Sequence, residues 1–431
     1  MDPIYELFLK YFQAENLDGC RDLINKPEFD VNHIYTQAEL KPKLQNFPLL
    51  KSNCTLNVLQ LIARLGKQWA SPLITNILEL GIGGDAVTVD LDLANKNGWT
   101  ALMMAACNSN NTSSLETIEA LIRTGAKLDL QNRYGDTALI VAARHSNDTS
   151  SLHTVELLIR AGAKLDLQDK EGWTALMIAA CYSNSTSSLE TVETLIMADA
   201  KLDLQNNEGR TALMTAANHT KTSSSLETVE LLILAGAKLD LQNKEGFTAL
   251  MLAVRCSKTT SSHKTAELLI QADAKLDLQN NNGSTALMMA ALISADGGSL
   301  KTVELLIRAG AKLDLQSKTG WTALMLAALN SNKTSSLETV ELLILAGSNL
   351  DLQNTTNGLT ALMLAASNSV YSSSLETVKL LIRAGANLDL QNTDGKTAIM
   401  QAALNSYRDS SLETVATLIS AGANLYLSKQ K

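Results

Sequence analysis

From residue 98 onward the apolar positions follow one rhythm. In the first full cycle Thr100 precedes Ala101-Leu102-Met103-Met104-Ala105-Ala106, an unbroken run of strong helix formers opened by a hydroxyl N-cap. A polar stretch from Cys107 to Thr112 breaks that helix, and Ser113-Ser114-Leu115-Glu116 has the spacing of a capping box opening a second one. Leu115, Ile118, Leu121 and Ile122 then share one helical face, while Glu116, Glu119 and Arg123 face water. Gly125 ends the helix with a residue suited to positive φ. Lys127-Leu128-Asp129-Leu130-Gln131 alternates polar and apolar residues as a strand does, and Asn132-Arg133-Tyr134-Gly135 turns into the next cycle.

The cycle recurs nine times. Its threonine stands at 100, 137, 174, 211, 248, 285, 322, 360 and 397, a spacing of 37 residues with one step of 38. The extra residue falls in the turn Asn354-Thr355-Thr356-Asn357-Gly358. Asp199 and Asp273 replace the helix-ending glycine in two cycles, and aspartate tolerates the left-handed region better than most residues. One unit of this size cannot bury its apolar faces alone. Stacked units can, so the pattern predicts an all-α solenoid of helix-turn-helix units joined by hairpin loops.

The motif G-x-T-A-L-M-x-A-A followed by L-E-T-V-E-L-L-I-x-A-G-A resembles the ankyrin repeat over residues 90–427. Two departures stand out. The family's T-P-L-H is T-A-L-M here, as in Thr174-Ala175-Leu176-Met177, which removes a helix-starting proline and a histidine whose hydrogen bond ties neighbouring turns. The unit also exceeds the usual length by four residues, placed between the helices in loops such as Asn184-Ser185-Thr186-Ser187. Long-looped arrays of this sort are similar to those encoded by some large DNA viruses.

Residues 1–90 differ in kind. They hold all five prolines, yet Glu15 to Ile24 fits the second helix of a worn repeat. Cys54 to Leu59, closed by Ile77 to Gly81, fits another. The expected organisation is two degenerate repeats with a long loop near 30–53 capping the array at 1–90, and nine regular repeats over 91–431. A separate recruiting module in 1–90, with the array as a structural spacer, is the alternative.

Composition narrows the function. The chain has 45% hydrophobic and 19% charged residues and a net charge of −8, which disfavours nucleic-acid backbone binding. Five cysteines without a C-x-x-C argue against a disulfide framework or zinc site, and no apolar run reaches membrane-spanning length. These features predict a cytoplasmic chain, in the host-cell cytoplasm if the array is viral, and a monomer with no membrane association. His33, His145, His153, His219 and His263 share no repeat position, and no nucleotide, calcium or nucleophile-elbow motif occurs. No cofactor and no catalytic activity are expected.

The resemblance implies a protein partner, held by hairpin tips and the concave first-helix face. The residue after the turn glycine reads Trp99, Asp136, Trp173, Arg210, Phe247, Ser284, Trp321, Leu359, Lys396. Aromatics occupy alternate units, and each carries a lysine three residues earlier: Lys96, Lys170, Lys244 and Lys318. Together with Arg210, these Lys–aromatic pairs are the candidate partner-binding residues, aromatics being frequent interface anchors. Duplication of a two-repeat block, with each aromatic packed on the adjacent hairpin, explains the same pattern. A second variable series, Cys107, Arg144, Cys181, Asn218, Arg255, Leu292, Leu329, Ser367 and Leu404, marks the end of the first helix.

Overall fold

The structure, a computed structural model, describes residues 3–14, 16–26, 29–30, 33, 60, 63, 73–74, 89–107, 112–145, 149–181, 186–218, 223–255, 260–293, 298–329, 334–367, 372–404 and 409–425. Among these residues every regular element is an α-helix. They fall into two compact units, Met1–Asn207 and Glu208–Lys431.

The first unit begins with α1 (Pro3–Gln13) packed on α2 (Leu17–Ile24). Three helix pairs follow: α3 (Ala101–Cys107) with α4 (Thr112–Arg123), α5 (Ala138–Arg144) with α6 (Thr149–Arg160), and α7 (Ala175–Cys181) with α8 (Thr186–Met197). The second unit holds six pairs: α9 (Ala212–Asn218) and α10 (Ser223–Leu234), α11 (Ala249–Arg255) and α12 (Thr260–Gln271), α13 (Ala286–Leu292) and α14 (Gly298–Arg308), α15 (Ala323–Leu329) and α16 (Thr334–Leu345), α17 (Ala361–Ser367) and α18 (Ser372–Arg383), α19 (Ala398–Ala403) and α20 (Asp409–Ser420).

Within each unit the short first helices pack side by side in one layer and the longer second helices in another. The first helices suit that position because they are built of alanine, leucine and methionine, which let helix axes approach closely. From Ala101 to Ala106 every residue is buried, and Met103, Met177, Met251 and Met325 fill the space behind their threonines. The second helices bury one stripe, such as Val229 and Leu232, and expose the opposite face.

The threonine caps form as the sequence predicts. Thr285 Oγ1 accepts from the Met288 amide at 3.3 Å, and Thr137, Thr174, Thr211, Thr248, Thr322 and Thr360 do the same in their repeats. Thr397 differs: its hydroxyl makes no cap bond and, among the described residues, finds no partner although it is buried. Thr285→Ala should therefore destabilise the chain by about 1 kcal/mol, whereas Thr397→Ala should cost nothing measurable in urea unfolding.

Two expectations are corrected. Lys127 to Gln131 and its equivalents form turns, not strands. Their alternation has another cause. The leucines lie half-buried, while each aspartate reaches the next repeat: Asp129 Oδ1 accepts from the Lys164 amide and Asp240 Oδ1 from the Lys275 amide, both at 2.9 Å. The second lysine–aspartate oxygen contacts, 3.7 Å for Lys275–Asp240, are exposed ion pairs of little weight. The capping box is not placed as expected either: α4 begins at Thr112 and α18 at Ser372, so the box serines Ser113 and Ser373 lie within the helices and not at their N-caps. Ser374 is buried inside α18 and donates to the Ala365 carbonyl at 2.6 Å, tying the two helices of its repeat together. The side chains of Ser113, Ser114 and Ser187 lie outside the described residues, and α8 already begins at Thr186.

The exposed faces of the second helices carry i,i+4 ion pairs, Glu156–Arg160 at 3.2 Å and Glu304–Arg308 at 2.6 Å. In the N-terminal segment α2 matches the expected worn second helix. The aromatic concentration there makes a local core: Phe8 and Phe12 are fully buried and the Tyr5 ring stacks on His33 at 3.8 Å. Gln60 Nε2 donates to the Leu93 and Trp99 carbonyls at 2.6 and 3.0 Å, linking this region to the first regular hairpin. The expected helix at 54–59, its closure at 77–81 and the loop near 30–53 lie outside the described residues, Asp30 and His33 apart.

Candidate partner-binding surface

Seven of the nine hairpin tips carry an asparagine at their base, and Asp169 and Ser317 stand in its place in the other two, accepting from the Trp173 and Trp321 amides at 2.8 and 3.0 Å. Asn243 Oδ1 accepts from the Glu245 and Phe247 amides at 3.0 and 2.8 Å, while the Asn243 amide donates to the Phe247 carbonyl at 3.0 Å. That closure presents Lys244 at the tip and Phe247 at the base beside the first helix. Tips are joined to their neighbours by backbone, as in the Asn281 amide to the Glu245 carbonyl at 3.0 Å. Glutamine side chains add a second tie. Gln242 Nε2 donates to the Gly246 carbonyl in its own tip and to the Gln279 carbonyl in the next, at 2.7 and 2.9 Å. Gln131, Gln168, Gln279, Gln316 and Gln353 do likewise. The connection that the missing histidine would have made is thus supplied by other atoms, and the recurring L-D-L-Q was its signal in the sequence.

Lys96, Lys170, Lys244 and Lys318 are exposed, and Trp99, Trp173, Phe247 and Trp321 are half-buried. In two repeats the residue after the turn glycine faces the residue eight positions later, at the end of the first helix. In the second repeat this is an ion pair, Asp136–Arg144 at 2.8 Å; in the fifth it is the Arg255 guanidinium over the Phe247 ring, 5.0 Å from its centroid. The two variable series read separately in the sequence therefore form one surface. Arg210, in the fourth repeat, pairs instead with Glu208 at 3.0 Å.

In the first unit this surface is polar. Tyr134, Asp136, Arg144, Asp169, Lys170 and Glu171 line a basin of about 230 Å³. Asp169 is the odd residue, since most repeats carry asparagine at that position. Burial of its side chain pushes its pKa up, the nearby Asp136 charge adds to this, and the Glu171 and Trp173 amides and Arg144 act against it. A carboxyl raised in the folded state favours folding while protonated and loses that advantage as pH rises through its folded pKa. Asp169→Asn keeps the acceptor for both amides and removes the buried charge. It is expected to hold or raise stability at pH 7 and to flatten the stability–pH curve in the acidic range, as read by urea midpoints.

In the second unit the surface turns apolar at the sixth and seventh repeats. A groove of about 360 Å³ opens between the sixth and seventh repeats, lined by Met288, Met289, Leu292, Leu326, Leu329 and Trp321 from the first helices and their bases and by Asn282, Ser284, Ser317, Lys318 and Thr319 from the tips. Leu292 is 47% exposed, so the groove floor reaches solvent. Here both residues at the corresponding positions, Trp321 and Leu329, are apolar, and neither covers the other with charge.

Among the described residues no three His, Cys, Asp or Glu side chains are grouped to hold a metal ion, and no helix is long and apolar enough to cross a membrane. Cys107 Sγ lies 3.4 Å from His145 Nε2 across neighbouring repeats, while Cys20 is buried and its thiol pushed up to about 12 by that burial.

The family model for ankyrin repeats in three copies matches residues 59–150, 149–224, 220–292 and 331–429, and the single-repeat model matches 282–318. Among solved structures, a crystal structure of an ankyrin repeat domain from Acinetobacter baumannii AYE is 29% identical, covering 49% of this chain and 98% of that one with a TM-score of 0.42. No curated protein matches. With family matches covering well over half of its length, the chain belongs to the ankyrin repeat family.

Proposed function

We propose that the chain is a non-catalytic protein-binding scaffold that holds its partner on the surface made by hairpin tips and first-helix ends. The observation that carries this reading is the solvent-open apolar groove beside Trp321, on a face whose side chains differ from repeat to repeat while the residues behind it do not. Ankyrin repeats generally mediate protein–protein contacts and are typically non-catalytic, which fits. The exposed lysines at 96, 170, 244 and 318, the half-buried aromatics beside them and Arg210 are the residues assigned to partner contact. Residues 1–90 are assigned the role of a degenerate cap on the array at 91–431; the aromatic core around Phe8 and the family match beginning at residue 59 support that assignment.

Site-specific photo-crosslinking tests this. A benzophenone side chain at Leu292 or Arg255, on the inner face, is expected to capture a protein in cells expressing the full chain. The same group at Glu119 or Glu341, on exposed outer helices, is expected to capture none. Capture from the outer positions alone would overturn the proposal.

A further inference from the structure

The second unit presents two apolar anchors on one edge, and four of the six charges beside them, Arg210, Lys244, Arg255 and Lys318 against Glu208 and Glu245, are positive. Phe247 lies under the exposed Arg255 guanidinium and behind the exposed Lys244. Trp321 lies beside the apolar groove whose one charged lining residue is Lys318. Lys318 makes no ion pair among the described residues, its amide serving only the Asn282 carbonyl. The tip between these anchors, Asn280 to Ser284, is uncharged; of the two carboxylates on the tips beside Lys244, Glu245 is exposed and Glu208 is already paired with Arg210 at 3.0 Å, while Asp394 lies on the ninth repeat's tip. In a chain of net charge −8 this is a local inversion of sign.

We infer that the second unit binds an extended acidic peptide, seating a bulky apolar side chain in the Trp321 groove with a carboxylate on Lys318, and a second carboxylate on Lys244 and Arg255. The groove selects an apolar side chain because Met288, Met289, Leu292, Trp321, Leu326 and Leu329 make up its first-helix side, its polar members Asn282, Ser284, Ser317 and Thr319 belonging to the hairpin tips. Arg255 donates one N–H to Asn218 Oδ1 at 3.2 Å and offers its remaining donors above the Phe247 ring to the second carboxylate. Spacing follows from the stacking. Helices pack about 8–10 Å apart, so anchors two repeats apart are separated by roughly 18 Å. An extended chain covers that in about five or six residues. The inference rests on the protein-binding reading above and deepens it by giving the partner's chemistry.

The test is selection of a random dodecapeptide phage library on the immobilised full chain, followed by polarisation titration of the resynthesised peptides. Enriched peptides are expected to carry Leu, Ile, Phe or Met next to Asp or Glu, with another acid five to six residues away. Leu292→Asp and Lys318→Glu should each weaken binding by about tenfold or more, the loss expected of an interface anchor. A peptide with lysine in place of its groove-side acid should recover on Lys318→Glu. Leu292 is partly exposed, so its variant is expected to keep the parent's circular dichroism melting curve, and a loss of binding then reads as loss of contact. Neutral or basic enriched peptides, no enrichment, unchanged binding by Leu292→Asp, or equal displacement by a single-stranded dT oligonucleotide would each overturn the inference. Inner-face crosslinking to a protein alongside basic peptides would sink this inference and leave the scaffold reading standing; loss of both would sink both.

Discussion

Gly246→Ala is expected to destabilise the second unit by about 3 kcal/mol or more, while Gly236→Ala, ten residues earlier, should cost about 1 kcal/mol. Both glycines have positive φ, +80° and +89°. What separates them is space. A Cβ on Gly236 meets no atom within 4 Å, whereas one on Gly246 would lie 2.6 Å from the Asn281 amide nitrogen and 2.8 Å from the Asn280 Cα. Those atoms are backbone and cannot swing aside. The same amide donates to the Glu245 carbonyl, so relief of the overlap would pull one hairpin tip off the next. Because Gly246 lies between Lys244 and Phe247, the variant should also displace the proposed binding pair. Urea unfolding of both variants by far-ultraviolet circular dichroism checks the contrast; equal midpoints would contradict it.

The sequence itself carries half of that contrast. The helix-ending position is aspartate at Asp199 and Asp273, which adopt φ of 69° and 70°, so a side chain there is tolerated. The tip position is glycine in all nine repeats. Periodicity, threonine caps and left-handed positions were legible because each is a local property of a few consecutive residues. The asparagine-closed tip and the glutamine ties were not, because L-D-L-Q alternates like a strand and its partners lie one repeat away. Gln242 and Gln279 are 37 residues apart, and only stacking reveals that one side chain reaches the other's carbonyl. The site was partly legible for the same reason. Phe247 and Arg255 each stood out as variable positions, but that they face each other depends on how the tip folds back along the helix. The groove at Trp321 required knowing that Met288, Met289 and Leu292 of the preceding repeat line its other side.

Leu232→Ala is expected to cost roughly 2–5 kcal/mol, and Leu234→Ala within about 0.5 kcal/mol of nothing. The run Leu231-Leu232-Ile233-Leu234 reads as uniformly apolar, yet the helix turns these side chains in different directions. Leu232 is fully buried between the helix layers; Leu234 is 77% exposed. Removing the Leu232 side chain leaves a void that the close-packed layer of alanine and methionine cannot collapse to fill. The consequence in a repeat array exceeds a lower midpoint. Each repeat depends on its neighbours' interfaces, so a loss of this size at one repeat weakens coupling on both sides and lets the chain unfold in stages. The expected urea curve for Leu232→Ala is broader than that of the parent, with a lower slope or a resolved second transition, and Leu234→Ala should superimpose on the parent. Leu234→Arg should do so too, since Arg123, Arg160, Arg308 and Arg383 occupy the equivalent place in other repeats. A Leu232→Ala curve indistinguishable from that of Leu234→Ala would mean that the stacked interface contributes far less to stability than its burial implies.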